Sequence, residues 1–173
     1  LMDATIAIKT VAALSDAEQH EAYQLLKSVF GGEVSVWTWA EDDWRLLARV
    51  NGKMVTHIGI VVRTCLVKNQ TVKVGGIGGV ATLEEWRGQG LATQAMRAAA
   101  DFLKKQLKVD FGMLFCSREM VPFYQRLGWR LIDAPVFFDQ PGGKMQSDCP
   151  VMYLPCTKPY FPWGDVNICG YPW

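Results

Sequence analysis

Apolar and polar positions along the chain switch between a period of two and a period near 3.6, and the switches mark its elements. Ala4 to Val11 alternates as a first strand. Ser15-Asp16-Ala17-Glu18 has the spacing of a capping box, and the helix it starts runs to Phe30, where Gly31-Gly32 stops it. An irregular aromatic and acidic stretch follows from Glu33 to Asp43, holding Trp37, Trp39, Glu41, Asp42 and Asp43. Trp44 to Val50 and Lys53 to Cys65 read as a hairpin, because Asn51-Gly52 suits the positive φ values of a type I′ turn. A second turn near Lys68-Asn69-Gln70 leads into a strand from Val72 to Thr82. Leu91, Ala95, Ala98, Ala99, Phe102 and Leu103 then recur on one face of a helix. Phe111 to Cys116 is an apolar strand, Val121 to Leu127 a short helix closed by Gly128, and Trp129 to Ile132 and Val151 to Leu154 are strands. The chain beyond Pro155 is rich in proline and aromatics and ends Tyr171-Pro172-Trp173. An antiparallel meander followed by a strand–helix–strand crossover predicts an α+β fold around a sheet of six or seven strands.

Composition narrows the class. With 173 residues, 50% of them hydrophobic, the chain suits one domain with a substantial core. A formal net charge of +1 gives no overall attraction to nucleic acid or an anionic membrane. No apolar run approaches the ~20 residues that span a bilayer, and no cleavable signal pattern opens the sequence. Cys65, Cys116, Cys149, Cys156 and Cys169 form an odd set with no C-x-x-C pair. That pattern predicts neither a disulfide framework nor a metal site, and a cytoplasmic setting.

Candidate chemistry concentrates between the long strand and the second helix, in Arg87-Gly88-Gln89-Gly90-Leu91-Ala92-Thr93. The first amides of a helix lack intrahelical acceptors, and the dipole makes that end partly positive. Gly88 and Gly90 leave room for close approach of an anion, and Arg87 adds a full charge. The same residues also suit a plain glycine turn that merely starts a helix.

Arg87-Gly88-Gln89-Gly90-Leu91-Ala92 resembles the Arg/Gln-x-x-Gly-x-Gly/Ala signature of the GNAT N-acetyltransferases. Pro122-Phe123-Tyr124-Gln125-Arg126-Leu127-Gly128-Trp129 is similar to that family's second aromatic segment, and the two stand at the usual separation. The resemblance covers roughly residues 4 to 155. It implies a three-layer α+β fold, a mixed six- or seven-stranded sheet with helices on both faces, splayed between the fourth and fifth strands. It implies a domain over residues 2–155, with residues 156–173 as a tail packed on it. The implied co-substrate is acetyl-CoA, with its pyrophosphate on Arg87, Gly88, Gln89, Gly90, Leu91, Ala92 and Thr93. Its pantetheine arm would lie along Val80, Ala81 and Thr82. Gly75, Gly76, Gly78 and Gly79 are where a bulge would force the strands apart.

The implied reaction is direct acetyl transfer to a primary amine through a tetrahedral intermediate. An alkyl amine with pKa ~10.4 costs roughly 4.6 kcal/mol to neutralise at pH 7. Tyr124 matches the position of the acid that protonates the departing thiolate. The base is harder to place: several relatives carry a Glu where this chain has Gly78, which leaves His57, in mid-strand, as the substitute. Glu33, Asp42 and Asp43 belong to the segment that usually lines the acceptor side, or else to a solvated acidic loop. Within the family the sequence most resembles aminoglycoside 2′-N-acetyltransferases, through Phe30-Gly31-Gly32-Glu33, the Asn51-Gly52 hairpin with His57, Trp86-Arg87-Gly88-Gln89, Ser117, Leu154-Pro155 and the final Trp. By position this suggests Glu33, Ser117, Asp148 and Trp173 as contacts to a cationic acceptor, with the Trp173 carboxylate among them unless that residue plugs a groove. The missing strand Glu, a thinner acidic cluster and a pocket made more aromatic by Trp37, Trp39 and Trp163 depart from that pattern. The expected partners are a small-molecule amine, no nucleic acid and no membrane, with a homodimer as the candidate assembly. A peptide or protein N-acetyltransferase and a non-catalytic acyl-CoA-binding regulator are the alternatives.

Overall fold

The computed structural model describes residues 2–32 and 35–173. Its strands are β1 (Thr5–Thr10), β2 (Trp44–Val50), β3 (Lys53–Val67), β4 (Gln70–Thr82), β5 (Phe111–Phe115), β6 (Arg130–Leu131), β7 (Val136–Gln140), β8 (Gly143–Gln146), β9 (Val151–Pro155) and β10 (Val166–Asn167). Three α-helices interrupt them: α1 (Asp16–Phe30), α2 (Leu91–Lys105) and α3 (Val121–Arg126). The strands join in one ten-stranded mixed sheet in the order β6-β9-β5-β4-β3-β10-β7-β8, with β2 also pairing β3 and β1 pairing β2.

Local chemistry explains the first elements. Ser15 Oγ accepts from the Glu18 amide at 3.1 Å and Glu18 Oε2 accepts from the Ser15 amide at 2.9 Å, which closes the capping box of α1. Asn51 and Gly52 have φ of +50° and +80°, the pair of left-handed residues a type I′ turn requires. Neighbouring residues of β2 then divide the two faces. Leu46 and Ala48 pack with Ile58, Ile60, Ile77 and the Ala95, Met96, Ala99 and Leu103 stripe of α2. Leu47 packs with Met54, Ala81 and the Ala22 and Leu25 positions of α1. Helices therefore cover both faces of an α+β sheet.

The sheet exceeds the six or seven strands expected. β10 is two residues long, too short to show a period, and the β7–β8 hairpin turns on Pro141-Gly142 in a segment with no clean alternation. The stretch beyond Pro155 is more than a loop. Its Val166 and Asn167 pair antiparallel with Val67 and Leu66 of β3 and parallel with Val136 and Phe137 of β7. Among the described residues no helix is long and apolar enough to cross a membrane.

Candidate active site

β4 and β5 run parallel from Val74↔Phe111 to Ile77↔Leu114, and there their ladder ends. β4 continues to Thr82, while the chain after Phe115 turns away through Ser117 toward α3. A gap opens between the two strands at their C-terminal ends. Leu83 donates its amide to Val55 O of β3 at 3.0 Å. Strand alternation then turns the amides of Thr82 and Val80 the other way, into the gap. A bulge adds to the divergence. His57 pairs with Ala81 but Gly59 pairs with Gly78, so one residue of β3 faces two of β4, and Gly79 takes φ +54°.

The mouth of the gap is the start of α2. A 3-10 turn at Glu84–Trp86 leads to Arg87, whose Nε donates to Thr82 O at 3.1 Å. Gly88 and Gly90 follow with φ of +74° and +79°. The N-cap of α2 is Gly90, no side chain caps it, and its first turn holds no acidic residue. The first intrahelical bond is Gln94 N to Gly90 O. Helices ordinarily fill this position with Ser, Thr, Asp or Asn. Here the amides of Leu91, Ala92 and Thr93 and the positive end of the dipole have no side-chain cap at the protein's surface.

Tyr124 lies on the α2 side of the gap. It is buried against Phe123 and Trp129, with ring centroids at 5.0 and 6.4 Å, and burial with the nearby Cys116 pushes its phenol up to about 12. The hydroxyl therefore holds its proton at neutral pH. His57 lies on the α1 side and is fully buried. Its Nδ1 is 2.8 Å from Gly79 O, and a carbonyl only accepts, so Nδ1 carries the proton and Nε2 is left bare and unpartnered among the described residues. Burial lowers its pKa to about 4, against the pull of the Gly79 carbonyl. That arrangement suits a neutral clamp on the bulge better than a base facing solvent.

On the same face the sheet has a floor of glycines. Gly59 and Gly78 are a cross-strand pair. A Cβ on Gly59 would fall 2.3 Å from Asp42 Oδ1, and one on Gly78 would fall 2.7 Å from the Trp173 carbonyl carbon. Two residues earlier, a Cβ on Gly76 would strike the Trp173 indole at 2.3 Å. That indole is buried, donates Nε1 to Met113 O at 3.1 Å, packs edge-on against Phe115 and lies under Arg63 at 5.1 Å. The tail is pinned by Ala40 N to Pro172 O at 2.7 Å and Arg63 Nη1 to Tyr171 O at 2.6 Å. Trp173 thus plugs the sheet with its ring and brings its main chain onto the floor.

The remaining expected acceptor contacts divide. Ser117 and Asp148 are both exposed, and the Cys116 N to Pro150 O bond draws their two connections together at the end of β5. Glu33 lies outside the described residues. Trp37 packs edge-on against Phe138, whereas Trp163 is 84% exposed and sits over Lys68 at the β3–β4 turn, the end of β4 remote from the gap. Sequence reasoning missed Gly59 and Arg45. A glycine inside an otherwise branched apolar strand marked the first, as a place where something approaches the backbone closely.

A family model described as the acetyltransferase (GNAT) domain matches residues 10–132. An aminoglycoside 2′-N-acetyltransferase of Mycolicibacterium fortuitum is 30% identical over 131 residues, 74% of this chain. The chain covers 66% of that relative's length. Among solved structures, Escherichia coli ElaA superposes with a TM-score of 0.66 at 17% identity, over 88% of this chain and 99% of that one. A GNAT family acetyltransferase of Brucella melitensis, solved in complex with acetyl-CoA, gives 0.60 at 16% identity over 94% of each chain. These two likenesses are of fold. Since the family model spans the uncapped helix start and α3 together, the chain belongs to the GNAT acetyltransferases, a family of acyltransferases.

Proposed function

We propose that this protein transfers the acetyl group of acetyl-CoA to the primary amine of a small, cationic acceptor, of which an aminoglycoside-type compound is one. The observation that carries the reading is the start of α2. An uncapped, acid-free helix end with two left-handed glycines and Arg87 stands at the mouth of a gap between parting strands. The residues present fit the donor. The amides of Leu91, Ala92 and Thr93 suit a pyrophosphate, and the space beside Gly88 is open, since a Cβ there would meet nothing within 4 Å. The outward amides of Val80 and Thr82 lie beyond the end of the β5 ladder and suit the carbonyls of a pantetheine arm.

Bound there, the donor supplies an activated thioester. The Val80 amide is placed to polarise its oxygen and to stabilise the charge that develops on it. As the new C–N bond forms and the C–S bond breaks, Tyr124 gives its proton to the departing sulfur. A phenol raised by burial is protonated and ready for that role. The relative from Mycolicibacterium fortuitum supports an amine acceptor. The pinned tail supports a small one, because Trp173 covers Gly76 and Gly78 where an open groove would have to pass.

The test is release of CoA thiol in the presence of acetyl-CoA and a panel of aminoglycosides, polyamines and N-terminal or lysine peptides. Turnover with aminoglycosides or small polyamines, and not with peptides, is the expected result. Turnover with peptides alone would replace the acceptor. Calorimetric binding of acetyl-CoA without any turnover would make the chain a regulator.

A further inference from the structure

The described site offers Tyr124 as the acid, while His57 is sealed from solvent, its bare Nε2 buried and without a partner among the described residues. The glycine floor supplies a candidate of another kind. Asp42 belongs to the irregular segment before β2, and its carboxylate is folded back over β3. Gly59 has no side chain, so Asp42 Oδ1 occupies the space a Cβ there would need, 2.3 Å from its position. Arg45, three residues on, holds the other oxygen: Nε donates to Oδ2 at 3.0 Å. The two oxygens are thereby distinguished. Oδ2 is fixed by a guanidinium, and Oδ1 accepts no hydrogen bond among the described residues.

Position gives that free oxygen its meaning. Gly59 is the cross-strand partner of Gly78, and directly paired residues have side-chain positions about 5 Å apart. The Trp173 main chain sits on Gly78, and the bulge begins at the next residue, Gly79, which is exposed. Asp42 Oδ1 therefore stands beside the place where β4 turns its Val80 amide into the gap, on the face opposite Tyr124. A carboxylate on one face and a phenol on the other match a reaction that removes protons from an incoming amine and returns one to a leaving thiolate.

We propose that Asp42 is the catalytic base of the acetyl transfer, taking a proton from the acceptor ammonium before the nitrogen attacks. The proposal rests on the acetyltransferase reading above. An ammonium nitrogen carries three protons and the product amide one. Asp42 takes the first and passes it to solvent. The nitrogen lone pair then forms the C–N bond, the C–S bond breaks and Tyr124 protonates the sulfur. The second nitrogen proton leaves to solvent, and solvent returns a proton to the Tyr124 phenolate. Burial pushes the Asp42 carboxyl pKa above its ordinary value and Asp43 adds to this, while Arg45 holds it down. A carboxyl raised in this way is a stronger proton acceptor. Asp43 itself is engaged elsewhere, its Oδ2 accepting from Val62 N at 2.7 Å.

The test compares two acceptors on which the wild type is active: an alkyl amine that is an ammonium at the assay pH, and an amine or hydrazine already neutral there. Asp42→Asn keeps an oxygen for Arg45 and removes the basicity. The expected result is a loss of about 10²-fold or more in kcat/KM for the charged acceptor, near wild-type rates with the neutral one, and unchanged acetyl-CoA affinity. Gly59→Ala, which drives a methyl into Oδ1, should give the same selectivity between acceptors. Equal losses on both acceptors, or no loss on either, would overturn the base assignment while leaving the acetyltransferase intact. A wild type that acetylates no amine at all would overturn both.

Discussion

Replacing Gly76 by alanine tests whether Trp173 is locked into the sheet. The backbone of Gly76 cannot retreat, because it is laddered to Val61 on one side and Met113 on the other. The new methyl carbon would lie 2.3 Å from indole Cε2 and 2.4 Å from Cδ2, against an ordinary contact of about 3.5–4 Å. The ring has little freedom either, held by Met113 O, Phe115 and Arg63. An overpacked site of this kind costs about 2 kcal/mol, which in a domain of this size lowers Tm by about 4–8 °C. Trp173→Ala alone should cost about 3–5 kcal/mol by emptying the same site. In the double variant the methyl meets no ring, so the Gly76→Ala penalty should vanish, a coupling of about 2 kcal/mol. Thermal and denaturant melts of the four proteins measure it, and costs that add to within about 0.5 kcal/mol would show that the indole does not rest on Gly76. The singles should also raise KM for the amine while leaving acetyl-CoA affinity alone, since the α2 start is untouched.

Three further outcomes are expected. Gly90→Val sets a β-branched residue at φ +79°, and calorimetry should find acetyl-CoA weakened by more than tenfold in a folded protein. Tyr124→Phe should keep donor affinity and lose about 10²-fold in kcat, and full activity would assign the proton to solvent. His57 gives a pH signature: an unfolded chain takes up its proton near pH 6.5, which the folded protein resists until about pH 4, so stability should fall as pH drops through that window. The loss is on the order of 3 kcal/mol, and His57→Asn, which keeps a donor for Gly79 O, should flatten that part of the melt profile.

What the sequence disclosed was mostly local. Ser15 and Glu18 cap each other across three residues, Asn51-Gly52 turns two adjacent strands, and the α2 stripe repeats every three or four positions. Each signal is complete within about a dozen residues. The strands that went unread are β7, β8 and β10, and β10 depends on partners far along the chain. Val166 becomes strand because Val67 and Val136 present open edges to it, not because its neighbours alternate. Trp163 was misplaced for the same reason. Its ring follows Lys68 to the far turn, and nothing in the tail's composition distinguishes it from Trp173.

The site follows the same division, with one instructive twist. Gly88 and Gly90 announced the helix start because a left-handed residue next to a helix is a local demand. Gly59, Gly76 and Gly78 make a different demand: each is a missing side chain whose space something else fills. A sequence can show that the space exists, since glycine in mid-strand weakens the sheet unless close approach compensates. It cannot show what fills it. Leu103 covers Gly75 from helix α2, Trp173 covers Gly76 and Gly78 from the end of the tail, and Asp42 covers Gly59 from the segment before β2. The loss of a carboxylate at Gly78 therefore read as a gap in the catalytic set, when the floor it left is shared by a carboxylate arriving from Asp42, sixteen residues before Ile58 and outside any regular element. With Asp42 as the proposed base, proton removal would be tied to the same segment whose Ala40 amide holds Pro172, so that the tail over Gly78 and the carboxylate over Gly59 are positioned together.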